Sequence, residues 1–150
     1  MPALQTDYTL GQPAGFPGMH ADMAEWDART RTATAVIAFG APVQRDGGEG
    51  CAPLNAGEYL GIAGIRRVTN GEGDAYAIGD NVPVADEGCF FGTADAAIAV
   101  GAQLRWNTAT GRWTTAAASG TVITVPQAEA ETAAAGAAAI FKVRLRRIPS

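Results

Sequence analysis

Apolar and polar residues alternate with a two-residue period over much of the chain, most clearly near its end. Ala139, Phe141, Val143 and Leu145 fall on one face, and Ile140, Lys142, Arg144 and Arg146 on the other, as in a strand buried on one side. Residues 32–40 read as a strand that ends on Gly40. Residues 41–45 resume beyond that bend, with Pro42 fitting an edge or a strand start. In the strand at 58–65, Leu60, Ile62 and Gly64 share one side, and Tyr59, Gly61, Ala63 and Ile65 the other. Its glycines suit a bulge or a close backbone approach. Residues 46–50 form a glycine-rich loop, and Asn70-Gly71 is a hairpin signal.

Residues 74–113 organise the rest. Residues 75–84 line up with residues 97–106: an apolar pair leads into Gly79 or Gly101, and an alternating strand begins at Val82 or Leu104. Glycine suits such a corner because it accepts positive φ. Residues 88–92 form another short strand between the copies. Residues 107–113 read as a hairpin with Trp106 and Trp113 on paired strands, and residues 121–125 as a strand ended by Pro126. Propensity makes residues 127–139 helical. Yet Gln127, Glu129 and Glu131 alternate with Ala128, Ala130 and Thr132, which favours an edge strand followed by an alanine-rich loop. With no helix long enough for a crossover, the pattern predicts an all-β, antiparallel barrel or sandwich over residues 32–150.

Residues 1–31 break this pattern. Gly11, Pro13, Gly15, Pro17 and Gly18 forbid a continuous helix or central strand. Large apolar side chains nevertheless punctuate the segment: Tyr8, Leu10, Phe16, Met19, Met23 and Trp26. Residues 21–28 could make two helical turns. An extended, irregular N-terminal arm results, covering either its own barrel or a partner. Its acidic side chains, Asp22, Glu25 and Asp27, make a counterpart for the basic face of the last strand, Arg144 and Arg146.

Composition sharpens this picture. Alanine and glycine supply 51 of the 150 residues, whereas Leu, Ile, Val and Phe supply 28. A core of small side chains is thin, since each contributes little at roughly 25 cal/mol per Å² buried, so association with another surface is expected. A net charge of −4 with no basic, aromatic-interleaved face speaks against nucleic acid as partner. No apolar run approaches a membrane span, and residues 1–5 lack the basic and apolar regions of a signal peptide. Cys51 and Cys89 could form a single disulfide but read better as two reduced, buried thiols.

No chemistry emerges. His20 is the sole histidine, and Ser119 and Ser150 are the only serines, so a catalytic triad has no material. Asp22, Glu25 and Asp27 could cluster for a metal but read better as a solvated face. Neither glycine-rich loop carries calcium-loop or phosphate-loop ligands. The expectation is no catalytic residue, no metal and no cofactor.

Four features in order resemble the structural cement (decoration) proteins of tailed bacteriophages. They are Gly15-Phe16-Pro17-Gly18-Met19-His20-Ala21-Asp22; Phe39-Gly40-Ala41-Pro42-Val43 followed by Tyr59-Leu60-Gly61-Ile62; Tyr76-Ala77-Ile78-Gly79-Asp80-Asn81-Val82-Pro83-Val84; and Ala133-Ala134-Ala135-Gly136 leading into Lys142-Val143-Arg144-Leu145. The resemblance implies a jelly-roll-like barrel that forms a homodimer. It would sit on the outer surface of a virion whose shell is built by a major capsid protein of the HK97 type, assembled in the host cytoplasm, with no catalytic activity. The arm residues Tyr8, Phe16, Pro17, Met19, Met23 and Trp26 would then bind the capsid, with Asp22, Glu25, Asp27, Arg144 and Arg146 as interface charges. A carbohydrate- or host-binding surface module, with Trp106 and Trp113 as an exposed platform, is the alternative. The sequence departs from the family pattern at residues 46–55 and in the alanine-rich stretch before the last strand.

Overall fold

The computed structural model describes residues 15–23, 25–66 and 73–146. Eleven strands and no helix are found among them: β1 (Asp27–Ala33), β2 (Ile37–Ala38), β3 (Pro42–Asp46), β4 (Gly50–Pro53), β5 (Tyr59–Ala63), β6 (Ala75–Tyr76), β7 (Asn81–Thr93), β8 (Gln103–Asn107), β9 (Arg112–Thr114), β10 (Val122–Ala130) and β11 (Ile140–Leu145). The all-β expectation holds. Asn70-Gly71 lies outside the described residues.

The long strand β7 carries the architecture. Its first half pairs with β1 on one side and β5 on the other, and the ring β1-β4-β3-β5-β7 closes into a barrel. Every pairing in it is antiparallel except β1–β4, where Thr32 and Ala33 run parallel to Gly50 and Cys51. The second half of β7 pairs with β11, and the sheet continues through β10 and β8 to β9. This sheet also curls back on itself, because Ala94, just past β7, forms a parallel bridge with Trp113 of β9. The pairing order matches in the two halves, with β7 serving as last strand of one and first strand of the other.

One core runs through both. Ala33, Ile37, Val43, Cys51, Ile62, Tyr76, Val82 and Val84 fill the first half; Leu104, Trp106, Trp113, Val125, Phe141, Val143 and Leu145 fill the second. Trp106 and Trp113 sit directly opposite each other, ring centroids 5.2 Å apart and edge to face. Small residues let large ones in: a Cβ on Gly92 would lie 2.7 Å from the Trp113 ring.

Several local readings change. The strand placed at 32–40 is β1 ending at Ala33, a bend, and then the two-residue β2. β1 begins at Asp27, inside the stretch read as arm and as helix, because its backbone pairs with residues 81–87 of β7 despite carrying few apolar side chains. Residues 88–92 are part of β7, not a strand of their own. Pro126 does not end β10; the register against β8 slips between Thr124 and Glu129, and the bulge absorbs the proline. Residues 127–130 are strand, as alternation suggested, but lie between β8 and β11 rather than at an edge. Both corners expected at Gly79 and Gly101 are turns with φ of 90° and 78°. They close through Asp80 N–H to Ala77 O (3.1 Å) and Ala102 N–H to Ala99 O (3.3 Å).

Candidate functional site

The arm is built onto its own barrel by backbone bonds. Phe16-Pro17-Gly18-Met19 makes a turn closed by Met19 N–H to Phe16 O (3.0 Å), with Gly18 at φ 81°. Gly18 N–H then donates to Phe91 O (2.9 Å), Phe91 N–H to Met19 O (2.9 Å), and Ala21 N–H to Cys89 O (2.8 Å). Ile65 N–H reaches Gly18 O (3.2 Å) from the end of β5. Gly18 presses against Gly40: a Cβ on either would lie 2.6 Å from the other's backbone nitrogen. Pro17 packs on the same glycine. After Ala21 the chain crosses β7 at Gly88, where an added Cβ would lie 2.8 Å from Trp26 Cβ.

The side chains on this pinned backbone point outward. Met23 is 100 % exposed, Phe16 69 %, Trp26 56 % and Met19 38 %. His20 stacks between Phe90 and Trp26 at centroid distances of 5.3 and 5.5 Å. Beside it lies an apolar groove of about 300 Å³ walled by Met19, His20, Trp26, Ile65, Pro83 and Phe90. Ring nitrogen Nε2 of His20 is buried there without a hydrogen-bond partner among the described residues. A smaller apolar patch, Val36 and Ile78, is exposed on the neighbouring turns joined by β2 and β6.

The expected site residues thus divide. Phe16, Pro17, Met19, Met23 and Trp26 lie along one short stretch of arm, and Tyr8 is outside the described residues. Asp22 and Glu25 are exposed, and Asp27 is half-buried at the start of β1. Asp22 also accepts a hydrogen bond from the Cys89 thiol; burial first, and then this carboxylate, push that thiol up to about 12. Arg144 and Arg146 form no ion pair with the described residues of the arm. They pair with Glu131 (3.4 Å) and Glu129 (Nε to Oε1, 2.7 Å), neighbours across β10 and β11, so the basic face is matched within its own sheet. Cys51 and Cys89 are both free and buried. Trp106 and Trp113 are 8 % and 1 % exposed, which removes the platform on which carbohydrate binding was to rest. Among the described residues, no three His, Cys, Asp or Glu side chains gather where they could hold a metal ion.

Sequence reading missed one polar feature. Arg29, Arg31 and Arg45 converge with Leu60, Val84 and Asp86 on a cleft of about 130 Å³ lined by β1, β3, β5 and β7. The Arg29-x-Arg31 alternation was its only signal. Register does the rest, placing Arg29 opposite Val84 and Arg31 opposite Val82.

A β-barrel whose described surface offers an apolar, backbone-pinned contact stretch and a small basic cleft belongs to the class of structural binding proteins. The model of the family described as structural cement protein (E217 gp24/Pam3 gp6) matches residues 4–146. The chain belongs to this phage family, whose members are structural proteins that stabilise a capsid. Its fold is similar to a chain of the solved structure titled "The capsid of Myoviridae Phage XM1", with a TM-score of 0.72 at 16 % identity. That match covers 99 % of this chain and 100 % of the other. No curated protein matches.

Proposed function

We propose that the protein attaches through its arm to the outside of a phage head built by an HK97-type major capsid protein, as a homodimer, and stiffens that lattice. Phe16, Met19, Met23 and Trp26 are the anchors, Pro17 sets the turn that presents them, and Asp22, Glu25 and Asp27 border the contact. The basic pair Arg144 and Arg146 belongs to the rim, and Tyr8 extends the contact toward the N-terminus. The observation that carries this reading is the exposure of four large apolar side chains along a stretch whose backbone is held at residues 18–21 by four hydrogen bonds. Exposed apolar groups of this kind mark interaction surfaces. Prior ordering lowers the entropic cost of binding, and aromatic anchors tend to dominate such interfaces. A dimer would present two such arms and raise the effective concentration of the second contact once the first is made.

The test is binding of the Phe16→Ser/Trp26→Ser double variant to heads stripped of cement protein. Attachment should weaken by about a thousandfold, since two lost anchors at about 2 kcal/mol each sum to about 4 kcal/mol. Melting of the free protein should move little. Undiminished binding would remove the arm from the interface; collapse of the free protein would make these side chains part of the fold instead.

A further inference from the structure

The two halves of the molecule repeat one arrangement of strands and backbone bonds. Residues 32–41 and 93–102 differ only at Thr34/Asp95, Val36/Ala97 and Phe39/Val100, and the backbone bonds around them correspond. Thr34 N–H to Cys51 O (2.9 Å) matches Asp95 N–H to Trp113 O (2.7 Å), and Gly40 N–H to Ala63 O (2.7 Å) matches Gly101 N–H to Ala130 O (2.7 Å). Ala33 N–H to Asp80 O (2.9 Å) matches Ala94 N–H to Ala139 O (2.9 Å), and Gly79 N–H to Ala33 O (2.8 Å) matches Ala138 N–H to Ala94 O (2.9 Å). Even the turn conformation is kept: Ala138, at φ 65°, is the only positive-φ residue other than glycine among the described residues, and it stands where Gly79 stands. The repeat between residues 75–84 and 97–106 joins corners that are alike locally but not equivalent in this duplication.

In this correspondence β1 is the counterpart of the second half of β7, Thr30 of Phe91 and Ala28 of Cys89. The second half of β7 has its outer edge filled, because Phe91 and Cys89 bond the arm at Gly18, Met19 and Ala21. Among the described residues, the matching edge of β1 is open. Thr30 faces Pro83, which has no N–H and turns its carbonyl to Gly64 N–H (2.8 Å). The amide and carbonyl of Thr30 therefore point away from β7. β4 covers β1 only at Thr32 and Ala33, Thr30 is exposed, and among the described residues no backbone group bonds to Thr30 or Ala28 on that side. Open edges of this kind accept a further strand.

We propose that the β1 edge at Ala28 and Thr30 receives an extended, carboxylate-bearing segment of the capsid protein. The segment would repeat the three backbone bonds that the arm makes on β7. The proposal rests on the capsid-binding reading above. Charge selects the occupant. A chain of net charge −4 gathers three cations, Arg29, Arg31 and Arg45, around one carboxylate, Asp86, at the cleft beside this edge, a local excess of positive charge, and a strand laid along Thr30 turns every second side chain toward the Arg29 and Arg31 face. Arg31 Nη1 is already held by Gly48 O (3.1 Å) and Arg45 Nε by Glu58 (2.8 Å), which leaves Arg29 as the principal contact for an incoming carboxylate.

The test uses the full-length protein, cement-stripped heads and two variants. Thr30→Pro removes the outward N–H and places a ring on the edge without breaking a bond to β7. Arg29→Glu reverses the charge without touching the edge. Each should weaken head binding by about tenfold, the worth of one or two net hydrogen bonds or a charge-assisted one, and hydrogen exchange of a peptide spanning residues 27–33 should slow when wild-type protein binds heads. Wild-type binding that both variants retain, with no slowing in that peptide, overturns the edge proposal and leaves the arm reading standing. Failure of wild-type protein to bind heads overturns both. Slowing of the same peptide in free protein at high concentration would hand the edge to a second copy and overturn the proposal.

Discussion

Gly18→Ala is the most informative single change in the arm. At φ 81° an alanine costs about 1–2 kcal/mol from its own Cβ and carbonyl geometry. Its Cβ would also stand 2.6 Å from Gly40 N and 2.9 Å from Ala63 O, both backbone atoms of the closed barrel. These cannot yield, so the arm must lift. Lifting forfeits one or more of the four backbone bonds that hold residues 18–21, each worth about 1 kcal/mol net. The sum, about 2–4 kcal/mol, rivals the whole attachment of the arm, so the arm should release while the barrel stays folded. The assay is exchange of the Phe91 amide, which donates to Met19 O. It should speed up by roughly thirty- to a thousandfold, and head binding should fall with it. Gly79→Ala is the control, with φ 90° but nothing within 4 Å of the added Cβ. It should cost about 1–2 kcal/mol through conformation alone and leave Phe91 protected. If Gly18→Ala leaves Phe91 exchange within twofold of wild type, the glycine-to-glycine contact does not hold the arm.

Three further outcomes are expected. Ala138→Gly should stabilise the fold by about 1 kcal/mol, because it relieves a left-handed alanine at a turn whose counterpart is already glycine; an unchanged urea midpoint would argue against strain there. Cys89 should resist alkylation at pH 8.5 in the native protein, since its thiol is pushed from the ordinary 9.0 up to about 12 and the thiolate is the reactive form; labelling at the rate of a free thiol would refute this. The same shift fixes the sign of a pH effect. The folded state holds its proton where the unfolded chain has lost it, so stability should be intact below pH 9.0 and decline as pH climbs from 9.0 toward about 12. Cys89→Ser should flatten that decline in pH-dependent melting curves.

Alternation along the chain was enough to predict an all-β fold, the faces of β11, the strand within 127–130 and the glycine corners at 79 and 101. The reason is that the face a strand residue takes is decided by its immediate neighbours. Clustered prolines and glycines marked the arm for a similarly local reason, since they limit φ and hydrogen bonding residue by residue. Only the tertiary structure decided which edges meet. Asp27-Ala28-Arg29-Thr30-Arg31 carries no apolar stripe, yet it is a barrel strand because its backbone pairs with β7. Arg144 and Arg146 found Glu131 and Glu129 rather than the arm because register put those carboxylates one strand away. Trp106 and Trp113 went inside because the sheet curled over them, and Thr30 keeps an uncovered side among the described residues because ladder register turns its amide and carbonyl away from β7 and β4 stops at Thr32. Backbone donors and acceptors are the same for nearly every residue type, so the sequence carries little record of which strand bonds which. That choice appears only when segments dozens of residues apart are brought together around one core.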